Sequence, residues 1–146
     1  MRISSKGEYG MRALLDLALH YSDTPIQSHD IHLRQGVDEN YLNQILIQLR
    51  RAGLIESIRG PQGGHRLARP PVQISLLEAI MALEGPLLPS ESCRDNPSTV
   101  DALDGLIVHG VWNSMRSVLE NHLECLSLDD LVLSKRQKSG DSMYYI

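Results

Sequence analysis

The sequence contains no phenylalanine and few aromatic residues of any kind, with one Trp and five Tyr among 146 residues. A core must therefore be built from aliphatic side chains. Only two cysteines are present, Cys93 and Cys125, and this number excludes a disulfide framework. No run approaches the roughly 20 apolar residues of a membrane-spanning helix. The first ten residues also lack the apolar centre of a signal peptide. We therefore expect a cytoplasmic protein with no membrane partner.

Acidic and basic residues are unevenly distributed along the chain, whose net charge is −4. Residues 1–70 carry nine Lys and Arg against seven Asp and Glu, whereas residues 71–146 carry five against eleven. This asymmetry indicates that only the N-terminal half meets a polyanion. An excess of two charges does not decide the partner by itself.

The first half of the chain shows the pattern of three helices. Residues 8–21 and 28–35 are rich in helix-forming residues, and Ser28 is the predicted N-cap of the second helix. A third helix is predicted from its N-cap Asp38 to Ala52, because apolar residues recur there at offsets of three, four and seven.

A run of three glycines and one proline follows, within "RGPQGGHR" at residues 59–66. Glycine permits positive φ and proline fixes φ, so the run predicts a tight turn. The flanking segments 54–58 and 65–68 are predicted to pair as a β-hairpin. Helices followed by such a hairpin form a winged helix-turn-helix. A phosphate-binding P-loop is excluded, because His65-Arg66 stands where that motif needs Lys followed by Ser or Thr.

The second half predicts further helices joined by a loop. Residues 74–83 read as a fourth helix, and the proline-rich residues 86–97 read as a loop that contains Cys93. A capping box at 98–101 is expected to open a long helix that runs to about Leu126. A second Ser-x-x-Asp begins a short last helix, which precedes a polar and mobile tail.

The long helix carries an apolar seam that a single small domain leaves uncovered. The simplest partner is the same helix of a second copy in a two-fold homodimer. Cys125 is expected to pack as a small hydrophobe near the edge of this seam. The seam residues predicted at the dimer interface are Val108, Trp112, Met115 and Leu119.

Three stretches together resemble a known family. They are "MRISSKGEYGMRALLDLA", "YLNQILIQLRRAGLIESIRGPQGGHRLARP" and "ISLLEAIMALEG". The chain resembles the winged helix-turn-helix transcriptional regulators typified by the iron–sulfur cluster regulator and the nitric-oxide-sensitive repressor. The resemblance is close over residues 1–85 and extends to the rest by layout. It implies a mainly α fold with a small β-wing and a long dimerisation helix. It also implies a homodimeric transcription factor that binds a palindromic operator in double-stranded DNA. The implied division is a DNA-binding domain at 1–85, a sensor-type loop at 86–97, a dimerisation helix and short C-terminal helix at 98–134, and a tail at 135–146.

The third helix is then the recognition helix. Asn and Gln bond to adenine in the major groove, and Arg binds phosphate. For any one of these residues, a solvated surface side chain is the simpler interpretation, but the set favours DNA contact. Arg59 falls on the family's wing arginine, while Gln62 and His65 depart from its common glycine and aromatic residue. The residues predicted to contact DNA are Ser4, Ser5, Lys6, Glu39, Asn40, Asn43, Gln44, Arg50, Arg51 and Arg59.

The sensor region departs from the family. Members that hold an iron–sulfur cluster commonly carry three cysteines in this loop, and only Cys93 matches one of them. His109 falls near the family's histidine. One cysteine is too few for the usual site. Oxidation of Cys93 beside Arg94, another effector, or no effector at all are the alternatives to a cluster. The residues that would complete an unusual metal site with Cys93 are Glu8, His29, His32, His109 and Cys125.

Two function classes other than a DNA-binding regulator are a protein-binding module and an enzyme. A winged-helix module that binds proteins and not DNA is the alternative function. An enzyme is not expected, because no nucleophile–base pair, paired Cys-x-x-Cys or phosphate loop is evident.

Overall fold

The computed structural model describes residues 2–88 and 102–143. The architecture is mainly helical with one two-stranded antiparallel sheet, which confirms the predicted winged helix-turn-helix class. Its elements are α1 (Ser5–Leu19), α2 (Ser28–Gln35), α3 (Glu39–Arg51), β1 (Ile55–Ile58), β2 (Gly64–Leu67), a 3-10 turn (Pro71–Gln73), α4 (Leu76–Glu84), α5 (Ala102–Glu124) and α6 (Leu128–Met143).

The ends of the first three helices follow from local capping. Ser4 accepts a hydrogen bond from the amide of Gly7, so α1 begins three residues earlier than predicted. Asp38 caps α3 as predicted by accepting from the amide of Tyr41. The prediction for Ser28 is wrong, because that residue is the first of α2 and the N-cap position belongs to Gln27.

The wing is an antiparallel hairpin attached directly to the helix-turn-helix. Ile55 pairs with Leu67, and Ile58 pairs with Gly64. His65 also exchanges two backbone hydrogen bonds with Ile26, at 2.7 and 2.8 Å. A Cβ atom at Gly64 would collide with the carbonyl of Ile26, so this close approach needs glycine. The wing is therefore fixed to the segment that leads into α2.

The core is aliphatic, as the scarcity of aromatic residues requires. It lies between α1, α3, α4 and the wing, and its innermost side chains are at most 2% exposed. Leu128 and Val132 from the start of α6 belong to the same core. The core residues with the largest buried side chains are Leu14, Leu17, Ile31, Leu42, Ile45, Leu46, Leu49, Leu54, Ile74, Leu83 and Leu128.

The last helix is longer than the sequence suggested. Ser127 and Asp130 form the predicted cap. Ser127 Oγ accepts a hydrogen bond from the amide of Asp130, and the amide of Ser127 donates one to the carboxylate of Asp130. The helix then continues to Met143, so the segment expected to be a mobile tail from residue 135 is helical through residue 143. Residues 135–138 are Lys, Arg, Gln and Lys, good helix formers that need no buried face, which accounts for the first turn of the extension. The division into domains stays a prediction.

The predicted start of the long helix lies outside the described residues, which show α5 from Ala102 to Glu124. The predicted capping box at 98–101 and most of the loop at 86–97, including Cys93, belong to residues that the structure does not describe. Within residues 2–88 and 102–143, no helix is long and apolar enough to cross a membrane.

Candidate nucleic-acid interface

Helix α3 turns a polar face outward. Its apolar stripe is buried, and the most exposed residue in that stripe is only 1% exposed. Asn40, Asn43 and Gln44 are exposed on the opposite side, and Glu39 is partly exposed beside them. Arg50 and Arg51 are exposed in the last turn. The structure therefore brings all six of the predicted α3 residues to an outer surface.

A groove of about 500 Å³ separates this helix from the wing. Arg50 of α3 and Arg59 of the wing both line it. The start of α2 forms a further part of its wall through Ser28 and His29. Two residues predicted from separate segments, a helix arginine and a wing arginine, thus face the same space.

His29 lies against the first turn of α3. Its Nδ1 atom is 3.5 Å from a carboxylate oxygen of Glu39, and both side chains are about half exposed. The ring of His32 lies 5.7 Å away, and its Nδ1 atom is hydrogen-bonded to the carbonyl of Val37. The two histidines, which the sequence offered as metal ligands, contact a carboxylate and a backbone carbonyl here.

His65 lies near the tip of the wing, opposite Ser57 and one pair before the turn. Its Nδ1 atom lies 3.0 Å from the hydroxyl of Ser57 on the paired strand. Burial of the ring, and then the charge of Arg50, lower the pKa of His65 below its ordinary value. The imidazole is therefore neutral near pH 7. The family's common aromatic residue at this position is replaced by a neutral ring that hydrogen-bonds across the hairpin.

Ser4, one of the three N-terminal residues predicted to contact DNA, is hydrogen-bonded to α4 within the chain. The hydroxyl and the amide of Ser4 both donate to Glu84 Oε1, at 2.7 and 2.8 Å. These hydrogen bonds, the side-chain one first, lower the pKa of Glu84. The sequence predicted that Ser5 and Lys6 precede the first helix, but both lie in the first turn of α1. Whether Ser4, Ser5 and Lys6 contact phosphate stays a prediction.

A buried ion pair fixes α2 against α1, and the sequence analysis missed it. Asp16 is 1% exposed and accepts two hydrogen bonds from Arg34, at 2.9 and 2.8 Å. Gln35 donates a third hydrogen bond at 3.2 Å. Burial alone would raise the pKa of Asp16, but these hydrogen bonds and the charge of Arg34 outweigh it and lower the pKa. The pair holds the helix-turn-helix at a fixed angle to α1.

Helix α3 is also hydrogen-bonded to α4. Gln48 Nε2 donates to the carbonyl of Ala82 at 2.7 Å. Tyr41, at the other end of α3, packs edge-on against Tyr9 of α1 with 6.1 Å between ring centroids. Both contacts hold the inner side of α3, so its polar outer side is presented in one orientation.

The sensor candidates are not brought together in the described residues. Glu8 is paired with Arg12 at 2.9 Å on the outer side of α1, and His109 is partly exposed on α5. Cys125 is exposed just after α5 ends, so the expectation of a packed thiol is wrong. Residues 2–88 and 102–143 contain no group of three or more His, Cys, Asp or Glu that could hold a metal ion. Since a cluster needs mainly cysteine thiolates, the described residues do not fit one.

Helix α5 leaves a broad apolar surface uncovered. Val108, Trp112 and Met115 of the predicted seam are 45–48% exposed, and Leu119 is partly exposed. Exposed apolar patches of this kind on one chain mark contact surfaces. The same helix exposes further apolar side chains, namely Leu103, Leu106, Ile107, Val111 and Val118.

Comparison with known proteins gives consistent matches over most of the chain. The family model Rrf2, an iron-dependent transcriptional regulator, matches residues 3–134. The chain is 34% identical to the HTH-type transcriptional regulator IscR of Photorhabdus laumondii, over 90% of this chain and 79% of that protein. It is 35% identical to IscR of Vibrio cholerae, over 91% of this chain and 76% of that protein.

Solved structures agree with the sequence matches. The global cysteine regulator CymR of B. subtilis has a TM-score of 0.72 at 32% identity, covering 92% of this chain and 98% of that one. T. potens IscR has the same TM-score of 0.72 at 35% identity, and the match covers 92% of this chain and 88% of that one. The named functions favour the DNA-binding prediction over a protein-interaction module, and they agree with the expectation that this chain is not an enzyme.

Proposed function

Because the chain belongs to the Rrf2 family of iron-dependent transcriptional regulators and is itself a DNA-binding regulator, we propose that it binds its operator through α3 and the wing together. In this proposal, α3 lies in the major groove with Asn40, Asn43 and Gln44 toward the bases. Arg59 enters the adjacent minor groove or grips its phosphates.

One observation carries this proposal. Arg50 and Arg59 line the same groove although they belong to different elements, and the amide side chains of α3 are exposed on the helix that forms one wall of this groove. Arginines hold the phosphate backbone and fix the register, whereas amides read base edges. Glu39 faces the same groove and is suited to accept a hydrogen bond from the N4 amino group of cytosine.

We propose that two copies bind together through the exposed apolar side of α5. Each copy then presents one α3, and a two-fold dimer matches a palindromic operator. Half-sites one helical turn apart, at about 34 Å, or at a multiple of that distance, are expected for two such helices. A protein that acts on chromosomal DNA in a bacterium works in the cytoplasm, which is the location we propose.

We also propose that the response to iron or redox state depends on Cys93. This residue belongs to the segment that joins α4 to α5 in the sequence, between the DNA-binding elements and the proposed dimer helix. The family's description as iron-dependent supports such a response. The ligands of any cluster would include residues beyond those that the structure describes.

The interface is tested by selecting an operator from random duplex DNA and measuring binding by variants. Asn43→Ala should lose about 1–3 kcal/mol of discrimination against a wrong base, with little change in binding to random DNA. Arg59→Ala should weaken binding to both duplexes and reduce the dependence of affinity on salt.

Arg136→Ala is the matched control, because it removes one exposed cation from α6, away from the groove. If it weakens binding as much as Arg59→Ala does, net charge alone explains the effect. The wing would then have no place in the interface.

A further inference from the structure

Ile47 is an exposed aliphatic side chain on the outer face of α3. It is 41% exposed, whereas the four other large aliphatic residues of this helix are at most 1% exposed. An apolar side chain at this position is not packed in the core, so core packing does not account for its presence. Its surroundings on the helix decide what it can contact.

Ile47 lies at the centre of the polar outer face. Asn43 and Gln44 precede it by four and three residues, and Arg50 and Arg51 follow it by three and four. Residues at these spacings are neighbours on a helix surface. Ile47 is thus surrounded by residues proposed to read bases on one side and to bind phosphates on the other. Any duplex that approaches those four side chains must also meet Ile47.

The chemistry of the major groove offers one matching group. The base edges there present hydrogen-bond donors and acceptors, and the C5-methyl of thymine is the apolar group among them. Isoleucine is β-branched and stiff at χ1 in a helix, so it presents its methyl groups in a fixed direction. Amide neighbours cannot provide such a contact, because their ends are polar.

We propose that Ile47 is a specificity-determining residue that contacts the C5-methyl of a thymine in each half-site. This rests on the proposed function, because it requires α3 to lie in the major groove. Ile47 stands about 6 Å further along the helix axis than Asn43, at roughly 1.5 Å per residue. Base pairs are about 3.4 Å apart. The thymine therefore lies within two base pairs of the base that Asn43 reads.

The test replaces each thymine of the selected operator with deoxyuridine, which removes only the methyl group. For the parent protein, one symmetric pair of positions should weaken binding by about fourfold per half-site, the value of one buried methylene-sized group. Ile47→Ala should bind the thymine and deoxyuridine duplexes equally. Ile47→Val keeps the β-branch and should retain most of the difference.

Each other outcome overturns the proposal. If no deoxyuridine replacement weakens the parent, or if Ile47→Ala keeps the full difference, Ile47 is only an exposed surface residue. Asn43→Ala separates this result from the proposed function. If Asn43→Ala changes base choice while Ile47→Ala does not, α3 still reads DNA and only the methyl contact is refuted. If neither changes base choice, both proposals fail. A thermal melt checks that Ile47→Ala remains folded, as its exposure predicts.

Discussion

The ion pair between Asp16 and Arg34 should respond unequally to the loss of either partner. Asp16 has a side chain that is 2% exposed, whereas that of Arg34 is 39% exposed. Arg34→Met leaves a buried carboxylate without its cation, which costs about 3–5 kcal/mol. Asp16→Asn leaves a guanidinium that can turn into water, so the cost is that of the charge-assisted hydrogen bonds, about 1.5–3 kcal/mol. We expect Arg34→Met to be the more destabilising change.

The two variants should also differ in their pH dependence. In the parent, the lowered pKa of Asp16 gives stability that is present above the carboxyl's ordinary pKa and is lost as pH falls through the lowered value. Burial is already the largest single influence on the pKa of Asp16, and in Arg34→Met only the hydrogen bond of Gln35 and the charge of His20 oppose it, so the pKa of Asp16 rises. Acidification then neutralises the buried carboxylate in the folded state. The deficit of Arg34→Met relative to the parent should therefore shrink between pH 7 and pH 4.

Urea unfolding measures both effects. The parent and the two variants are compared at one protein concentration, because association between copies adds to the apparent stability. The reasoning is refuted if Asp16→Asn costs as much as Arg34→Met at pH 7. It is refuted equally if the deficit of Arg34→Met stays constant as the pH is lowered.

The remaining predictions concern the wing, the dimer and the sensor. Burial and the charge of Arg50 lower the pKa of His65, so the contribution of His65 to stability is present above its ordinary pKa and declines as the pH falls below that value. His65→Gln should therefore flatten the change in melting temperature between pH 7 and pH 5. An unchanged profile would count against a buried neutral ring. Met115→Asp should give a folded monomer with weaker operator binding, and sedimentation that shows a dimer of the variant would contradict the proposed seam. Cys93→Ser should abolish the response to iron or oxidant and leave effector-free operator binding intact. Cys125→Ser, its matched control, should respond as the parent does. If both variants respond to iron or oxidant equally, the sensor lies elsewhere.

Much of the fold could be predicted because its signals are local. The stripe in α3, the cap at Asp38 and the glycine run of the wing each lie within one helix or one hairpin. The same reasoning placed the six α3 residues on an outer face. It failed for the tail after residue 134, because a polar sequence of good helix formers has no apolar period to reveal it.

The contacts that orient the site could not be predicted, because they join distant residues. Arg34 reaches Asp16 across 18 positions, and Ser4 reaches Glu84 across 80. No spacing rule links such pairs in a single sequence. Ile47 did carry a signal in the sequence, since it is an aliphatic residue off the buried stripe of α3, but only polar residues of this helix were predicted to contact DNA.

The backbone bridge between Ile26 and His65 has an energetic consequence for recognition. Two hydrogen bonds fix strand β2 of the wing, at His65, to Ile26 before α2, so this part of the wing is held in place before DNA arrives. Ordering a free residue costs about 1–2 kcal/mol of conformational entropy. A preorganised wing avoids that cost on binding, and more of the interaction between guanidinium and phosphate appears as affinity. Loosening the bridge would therefore weaken operator binding without removing a single side chain that faces the groove.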